Sequence, residues 1–213
     1  EVELFLYAGN PEQVLNSYYR EMYRSISLFT TVYKHIDSIY IFSEKNQYII
    51  ANSAGMEFRQ FADRNWHPLF KQRQNNDPWI MPRKREDKYP FYITLVRPAY
   101  IYNQQQLGAV IVNINMEELG QLIRGQRSAS EEKLYIVDGN GTIMFSDDKQ
   151  DFLVPHEDSI LAEVSLAGNG GSLMVEGQDY LVSVAKSQVF DWTYASVLPV
   201  QHYQDKIHGQ HTF

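Results

Sequence analysis

The chain has 213 residues, a net charge of −7, 44% hydrophobic residues and no cysteine. A chain this acidic lacks the basic surface that nucleic-acid binding requires, and without thiols it can form neither disulfides nor thiolate metal sites. No apolar run reaches the 18 or more residues typical of a membrane span. The chain begins at Glu1 rather than Met, so we expect it to be a segment of a longer protein.

A long helix over residues 11–35 is the first element that the sequence predicts. Asn10 and Pro11 form a helix start, since Asn caps well and Pro suits the first helical position. Behind them, apolar residues recur at alternating steps of four and three, at Leu15, Tyr19, Met22, Ile26, Phe29, Tyr33 and Ile36. This stripe predicts that the helix packs along its own domain, and a parallel dimer seam is the alternative interpretation.

A first group of strands follows, because the apolar pattern changes to period two after residue 36. Strands are predicted over 37–43, 47–51, 91–101 and 107–114. A helix is predicted over 116–123, where Asn115 supplies the cap. Residues 56–70 are predicted to be helical in pieces. Residues 71–90 contain three prolines and a run of charges, which predicts a long surface loop with a short strand near 79–81.

A second group of strands follows the polar segment 125–130, at 133–137, 142–146, 172–176, 178–186 and 192–199. The order of hairpin, helix, loop and further strands thus occurs twice. We predict an α+β fold, with a long N-terminal helix and two tandem lobes, each an antiparallel sheet with flanking helices. The expected domains are the helix 1–35, lobes over 36–126 and 131–200, and the start of a C-terminal helix over 201–213. The expected boundary lies between Gly125 and Glu132.

Four segments carry a family resemblance, at residues 36–43, 63–66, 107–114 and 134–143. With them the chain resembles the double Cache (dCache) ectodomains of bacterial transmembrane receptors. Among these it is most similar to the sensor histidine kinases of Gram-positive bacteria. The resemblance implies two PAS-like lobes at the extracellular face of the cell membrane, the first lobe being membrane-distal. Membrane helices would precede and follow the chain, and a kinase would lie inside the cell.

The same resemblance implies a function. The domain would bind a small molecule (a sugar, an amino acid or a carboxylate) in the distal lobe and signal through its terminal helices. We expect no enzymatic activity in this segment, no cofactor, no metal and no nucleic-acid partner, and a homodimer in the full receptor. The alternatives are the ectodomain of a chemoreceptor or of a membrane-anchored transcriptional regulator, and a dimerisation spacer that binds nothing.

Candidate ligand-binding residues lie between positions 56 and 100, in the order of preference Arg97, Trp66, Arg64, Trp79 and Tyr100. Small-ligand sites are aromatic-lined clefts with a few placed polar groups, and Arg clamps carboxylate or phosphate. The alternative is that both tryptophans belong to the core and that Arg97 pairs with a carboxylate. Alternation along the strand puts Arg97 and Tyr100 on opposite faces in the absence of a bulge.

The resemblance also gives a pocket motif for Cache domains that bind amino acids. It contains Arg-x-Trp followed by Tyr, with a further Tyr five residues before the Arg. Arg64 and Trp66 match this motif, whereas Arg59 and His67 stand where the two tyrosines would be. The match is therefore partial, and residues 63–66 resemble equally well the Asp-x-x-Trp segment of the histidine-kinase type, in which the ligand class varies and includes carbohydrates.

Overall fold

A computed structural model describes residues 2–7, 11–52, 54–73, 77–85, 91–100, 106–125, 131–164, 170–175 and 177–200, without the side chains of 4, 11–19, 100 and 163. The chain divides into two compact units, Glu1–Leu119 and Gly120–Phe213. Most of the predicted linker (126–130) and the predicted C-terminal helix (201–213) lie outside the described residues. Among the residues that are described, no helix is long and apolar enough to cross a membrane.

Unit 1 contains one antiparallel sheet and several helices. In chain order its elements are α1 (Val2–Tyr7), α2 (Pro11–Val32), β1 (Ile36–Ser43), β2 (Tyr48–Ile50), β3 (Gly55–Glu57), a 3-10 turn (Phe58–Gln60), α3 (His67–Gln72), β4 (Trp79–Lys84), β5 (Phe91–Tyr100), β6 (Gln106–Asn115) and α4 (Met116–Arg124), the last of which runs on into unit 2. The strands lie in the order β3-β2-β1-β6-β5-β4. The predicted Asn115 cap is present, since its Oδ1 accepts a hydrogen bond of 2.9 Å from the Glu117 amide.

Both faces of this sheet are covered, which explains why residues 38–43 of β1 are all buried. One face carries an aromatic cluster that includes Tyr40 and Phe42. The other face carries an aliphatic cluster in which Ile39 and Ile41 pack with residues of α1 and α2. Successive side chains of a strand point to opposite faces, so one apolar strand supplies both clusters.

Strand β4 is longer than the short strand that the sequence predicts near 79–81 within its surface loop. It runs over six residues and pairs with β5 from Trp79↔Val96 to Lys84↔Phe91. Pro82 lies within it, and a proline is tolerated there because β4 is an edge strand with one unpaired side. This pairing moves Arg83 from a predicted solvated charge run to a buried position, 5% exposed.

Unit 2 contains a second antiparallel sheet. Its strands are β7 (Lys133–Asp138), β8 (Ile143–Ser146), β9 (Gly170–Val175), β10 (Gln178–Lys186) and β11 (Trp192–Pro199), in the order β8-β7-β11-β10-β9. The described residues between β8 and β9 include three short 3-10 helices, at Lys149–Asp151, His156–Asp158 and Ile160–Glu163. The β7–β8 turn is closed by Asp138, whose Oδ1 accepts from the amides of Asn140 and Thr142. The α+β fold with two antiparallel sheets is thus confirmed.

Replacing Ile26 with Asp is expected to destabilise the protein by about 3 kcal/mol, because the change buries a charge without a partner. Ile26 lies on α2 with 3% of its surface exposed, inside the aliphatic cluster. The matched control is Thr31→Asp on the same helix, since Thr31 is exposed. Urea denaturation would measure both variants. Equal midpoints for the two would contradict the packing of α2 on the sheet.

Candidate functional site

A buried polar cluster lies on the aromatic face of the unit 1 sheet. Its members are Ser38, Tyr40, Asp63, Arg83, Thr94 and Asn113, which we call the Arg83 network. Ser38 and Thr94 both stand opposite Asn113 in the strand register, so these three side chains share one face. Asn113 and Thr94 are fully buried. Asp63 comes from the loop before α3, and the other members come from four strands.

The network is a nearly closed chain of hydrogen bonds. Arg83 Nε donates to Thr94 Oγ1 (2.6 Å), and Thr94 donates to Asn113 Oδ1 (2.7 Å). Asn113 Nδ2 donates to Ser38 Oγ (2.9 Å), which lies 3.2 Å from the Tyr40 hydroxyl. The Tyr40 hydroxyl in turn donates to Asp63 Oδ2 (2.9 Å).

Arg83 and Asp63 form the charged centre of the network. Both terminal nitrogens of the Arg83 guanidinium donate to the Asp63 carboxylate, Nη2 to Oδ2 over 2.8 Å. Nη2 also donates to Asn113 Oδ1 over 2.7 Å. The exposed fractions of the two side chains are 5% and 14%. This bidentate pair is the geometry in which Arg recognises planar carboxylates most strongly.

A second pair of opposite charges lies at the rim of the network. Arg85 Nη1 lies 3.3 Å from Asp37 Oδ2 and 3.9 Å from Asp63 Oδ2. The Arg85 guanidinium also lies 4.3 Å from the ring centroid of Tyr92, whose hydroxyl donates to Asp37 Oδ1. The positive charges of Arg83 and Arg85 therefore offset the negative charges of Asp63 and Asp37.

The charges shift the titration of two network members. Burial raises the pKa of the Asp63 carboxyl, but hydrogen bonds and charge from Arg83 outweigh this effect, and the net pKa lies below its ordinary value. Burial, with the Asp63 charge nearby, raises the pKa of Tyr40 far above its ordinary value. Asp63 is therefore an anion and Tyr40 a neutral hydroxyl at neutral pH.

An aromatic wall borders the network on the same face. Trp66 is fully buried, and its ring centroid lies 5.4 Å from that of Phe42, 5.8 Å from that of Phe58 and 6.0 Å from that of Phe70. Its indole Nε1 donates to the backbone carbonyl of Asp63 over 3.0 Å. The wall and the network are thus joined at Asp63.

Trp79 belongs to the same aromatic cluster and carries an unused donor. It is 4% exposed, and its Nε1 is the one buried side-chain polar atom without a hydrogen-bond partner in the described part of the chain. Leaving a buried donor unpaired costs about 1–3 kcal/mol, which makes a bound acceptor favourable at this position. Trp79 and Arg83 are four residues apart on β4, and an even spacing along a strand places both side chains on one face of the sheet.

The other predicted residues are not part of this arrangement. Arg64 is exposed, and its Nη1 donates to the backbone carbonyl of Arg59. Arg97 is exposed and pairs with Val110, which packs on the aliphatic cluster, so it lies on the opposite face of the sheet from Trp66. The side chain of Tyr100 lies outside the description. Of the five predicted residues, the structure brings together Trp66 and Trp79.

An apolar cavity of about 400 Å³ lies on that opposite face, between α2 and the sheet. Its lining is aliphatic and aromatic apart from Ser25; Met22, Ile26, Ile39 and Val110 are among the lining residues. Among the described side chains that line it none is charged, whereas specific ligand sites combine apolar walls with a few placed polar groups. The Arg83 network with its aromatic wall fits that description better.

A family model described as a Cache domain, dCache_1, matches residues 7–207. The chain belongs to the double Cache family. Cache domains are extracytoplasmic ligand-binding modules of membrane receptors and are not enzymes, so this Cache domain is a sensor module. No curated protein matches the chain.

Solved structures of low sequence identity share the fold of this Cache domain. The ligand-binding domain of chemoreceptor CtaA from Pseudomonas fluorescens, in complex with L-isoleucine, has a TM-score of 0.66 at 11% identity, covering 96% of this chain and 82% of that one. The ligand-binding domain of the amino acid chemoreceptor PctB from Pseudomonas aeruginosa PAO1, with L-Arg, scores 0.62 at 11% identity, covering 86% and 85%. An extracellular domain assigned to a histidine kinase, rpHK1S-Z16, scores 0.65 at 9% identity, covering 93% and 82%.

Sequence reasoning missed the polar members of the Arg83 network in this Cache domain. The available signal was a polar residue at an inward position of an apolar strand, as Asn113 is within Ala-Val-Ile-Val-Asn-Ile. Buried polar side chains are informative because most such residues are exposed. Arg83 gave no such signal, because it stands in a run of charged residues.

The Cache domain should lose part of its stability in acid through Asp63. The folded pKa of this carboxyl is depressed, so its contribution is fully present above the unfolded value near 3.8 and is lost as pH falls through the folded value. We expect the free-energy difference between wild type and Asp63→Asn to be constant from pH 8 to 5. Below that range it should shrink, by at most about 1.4 kcal/mol per pH unit.

Urea denaturation of both proteins at pH 7, 5, 4 and 3 measures this difference. The carboxyl of Glu44, whose pKa is lowered by His67 and Lys71, is present in both proteins and cancels. A difference that does not change with pH would contradict the pairing of Asp63 with Arg83.

Proposed function

We propose that this Cache domain is the extracytoplasmic ligand-sensing domain of a transmembrane sensor histidine kinase, and that it binds a small molecule on the aromatic face of the unit 1 sheet. The observation that carries the proposal is the unpaired Trp79 Nε1 on the same sheet face as the Arg83 network, four residues from Arg83 along β4. One sheet face thus combines apolar wall, free donor and buried charge, as ligand sites do. The residues of the site are then Trp66, Trp79, Asp63, Arg83 and Asn113.

The ligand class that we propose is an amino acid or another small carboxylate, with a sugar as the next candidate. Two of the structural neighbours were solved with L-isoleucine and L-Arg. An amino acid carries a carboxylate, and the group that Arg83 holds in this structure is also a carboxylate, that of Asp63. Arg64 and Trp66 both match the amino-acid motif, but they do not lie together in the structure. Trp66 is buried, whereas Arg64 points to the surface.

A chemoreceptor ectodomain is the second candidate for the parent protein. CtaA and PctB, which share the fold, are chemoreceptors, while rpHK1S-Z16 supports the kinase. The sequence that follows the chain in its gene would distinguish a kinase core from a chemoreceptor signalling domain.

A homodimer through α2 is part of the proposal, supported by the exposed apolar residues Leu28, Phe29 and Val32.

A thermal-shift screen tests the binding function. The compounds are the L-amino acids, simple carboxylates and common sugars, and the proteins are wild type, Trp79→Phe and Arg97→Ala. A ligand at 100 times its Kd adds about 2.7 kcal/mol to stability, or roughly 5–10 °C for a chain of this size. The quantity compared is the ligand-induced shift of each variant relative to its own unliganded Tm.

Trp79→Phe keeps an aromatic ring but removes the Nε1 donor, so its ligand-induced shift should fall. Arg97→Ala changes an exposed residue on the opposite face, so its shift should equal that of wild type. Loss of the shift in Arg97→Ala with full retention in Trp79→Phe would place the site on the other face and contradict the proposal. The absence of any stabilising compound would favour the spacer alternative.

A further inference from the structure

Arg83 is already bound to a carboxylate that the protein itself supplies. Four of the five N–H donors of its guanidinium are used: one by Thr94, one by Asn113 and two by Asp63. Thr94 and Asn113 lie on the two neighbouring strands β5 and β6, and they fix the guanidinium against the sheet. The two donors that face Asp63 are the ones that a planar carboxylate would take.

The partner that holds these two donors lies on a different kind of element. Asp63 is in the loop between the 3-10 turn and α3, where its neighbours Ala62, Arg64 and Asn65 are exposed. Arg83 and Tyr40, which both donate to the Asp63 carboxylate, lie on strands of one paired sheet. A loop can change position at lower cost than a strand that is paired within a sheet.

We propose that Asp63 is a tethered internal carboxylate that occupies the Arg83 subsite until the carboxylate of a ligand displaces it. This inference rests on the proposed function of the sheet face and deepens it, since it names the ligand group that the subsite recognises. A ligand carboxylate would accept the same hydrogen bonds from Arg83 and Tyr40, so the sheet keeps all its partners. The ligand competes with Asp63 rather than filling an empty cavity.

The displacement also provides a route from the ligand to the fold. The backbone carbonyl of Asp63 accepts the hydrogen bond from Trp66 Nε1, and Trp66 is the buried centre of the aromatic wall. Movement of Asp63 therefore changes the environment of the Trp66 indole. A ligand that binds the displaced state better shifts the population toward it, as a sensor requires.

Chemical rescue by acetate tests the proposal. In Asp63→Ala the internal carboxylate is absent and Arg83 has no anionic partner, so the variant should melt below wild type. Acetate should raise its Tm in a saturable way, at a half-saturating concentration at least tenfold lower than for wild type, because the tethered competitor is gone. Acetamide, which has the shape of acetate without the charge, and sodium chloride at equal ionic strength should give no such shift.

Two further arms make the test decisive. Asp63→Asn keeps the shape of the side chain and should show the same preference for acetate over acetamide, which covers the case in which Asp63→Ala does not fold. L-alanine in place of acetate shows whether an ammonium group adds affinity, which separates an amino-acid ligand from a simple organic acid. Equal effects of acetate and acetamide in both variants, or no effect of either, would overturn the proposal.

The two proposals fail in different ways. If wild type binds a compound through Trp79 but acetate rescues neither Asp63 variant, the sheet face is a ligand site and Asp63 is a structural partner of Arg83. If acetate rescues Asp63→Ala but no compound gives a Trp79-dependent shift in wild type, the sensing function of this face is wrong. The role of Asp63 as a stand-in for a ligand is then wrong with it.

Discussion

Replacing Arg83 with Met is expected to destabilise the protein by about 3–5 kcal/mol, because the change leaves the Asp63 carboxylate buried without its partner. The pair is deeply placed, with exposed side-chain fractions of 5% and 14%, so solvent screens it little. Met fills much of the space of the arginine stem, so the cost reports the lost charge pairing more than a cavity. Urea denaturation at pH 7 measures it.

The matched control for this variant is Arg97→Met on the adjacent strand β5. Arg97 is exposed, and surface substitutions of this kind usually change stability by about 0.5 kcal/mol or less. The double variant Asp63→Leu with Arg83→Met should recover most of the loss, since an apolar pair can replace a buried ion pair at little cost. A single Arg83→Met variant that matches Arg97→Met would show that the pair contributes nothing.

Replacing Trp66 with Ala should cost a similar amount, about 3–5 kcal/mol, because it empties the centre of the aromatic wall. The indole is fully buried and has three phenylalanine rings around it. Val189→Ala is the control, since Val189 is 80% exposed. Trp66→Phe should cost less than Trp66→Ala, because it keeps a ring and loses the hydrogen bond to the Asp63 carbonyl.

Thermal and urea unfolding of these variants also tests whether Trp66 is mainly structural. A loss below 1 kcal/mol in Trp66→Ala would contradict its place in the core. A large loss of stability together with an unchanged ligand-induced shift in Trp66→Phe would assign ligand recognition to Trp79 and the Arg83 network alone.

Elements with a clear local signal could be predicted from the sequence. The hairpin of β7 and β8 follows from Asp138-Gly139-Asn140-Gly141, where Gly141 adopts a φ of 82° that favours glycine. Strands β5 and β6 follow from long runs of β-forming residues, and the Asn115 cap from its spacing to Glu118. These signals are local in the chain, so no tertiary contact is needed to read them.

The candidate site depends on contacts that are distant in the chain, and it could be predicted only in part. Alternation along β5 puts Arg97 on the same face as Leu95 and Ala99. It could not show that this face packs on α1 and α2, or that the two tryptophans lie on the other face. Likewise, Arg83 becomes a buried residue only because β4 pairs with β5 and Asp63 approaches it from a loop 20 positions away.

Hydrogen–deuterium exchange with the most stabilising compound of the screen tests the central claim most directly. If the aromatic face of the unit 1 sheet binds the ligand, protection should concentrate in residues 79–85, which contain Trp79 and Arg83, and exchange in residues 61–66 should change because the ligand displaces Asp63. Peptides from α2 and from unit 2 should then show smaller changes. Protection confined to α2 and its apolar cavity, or to unit 2, would contradict the account.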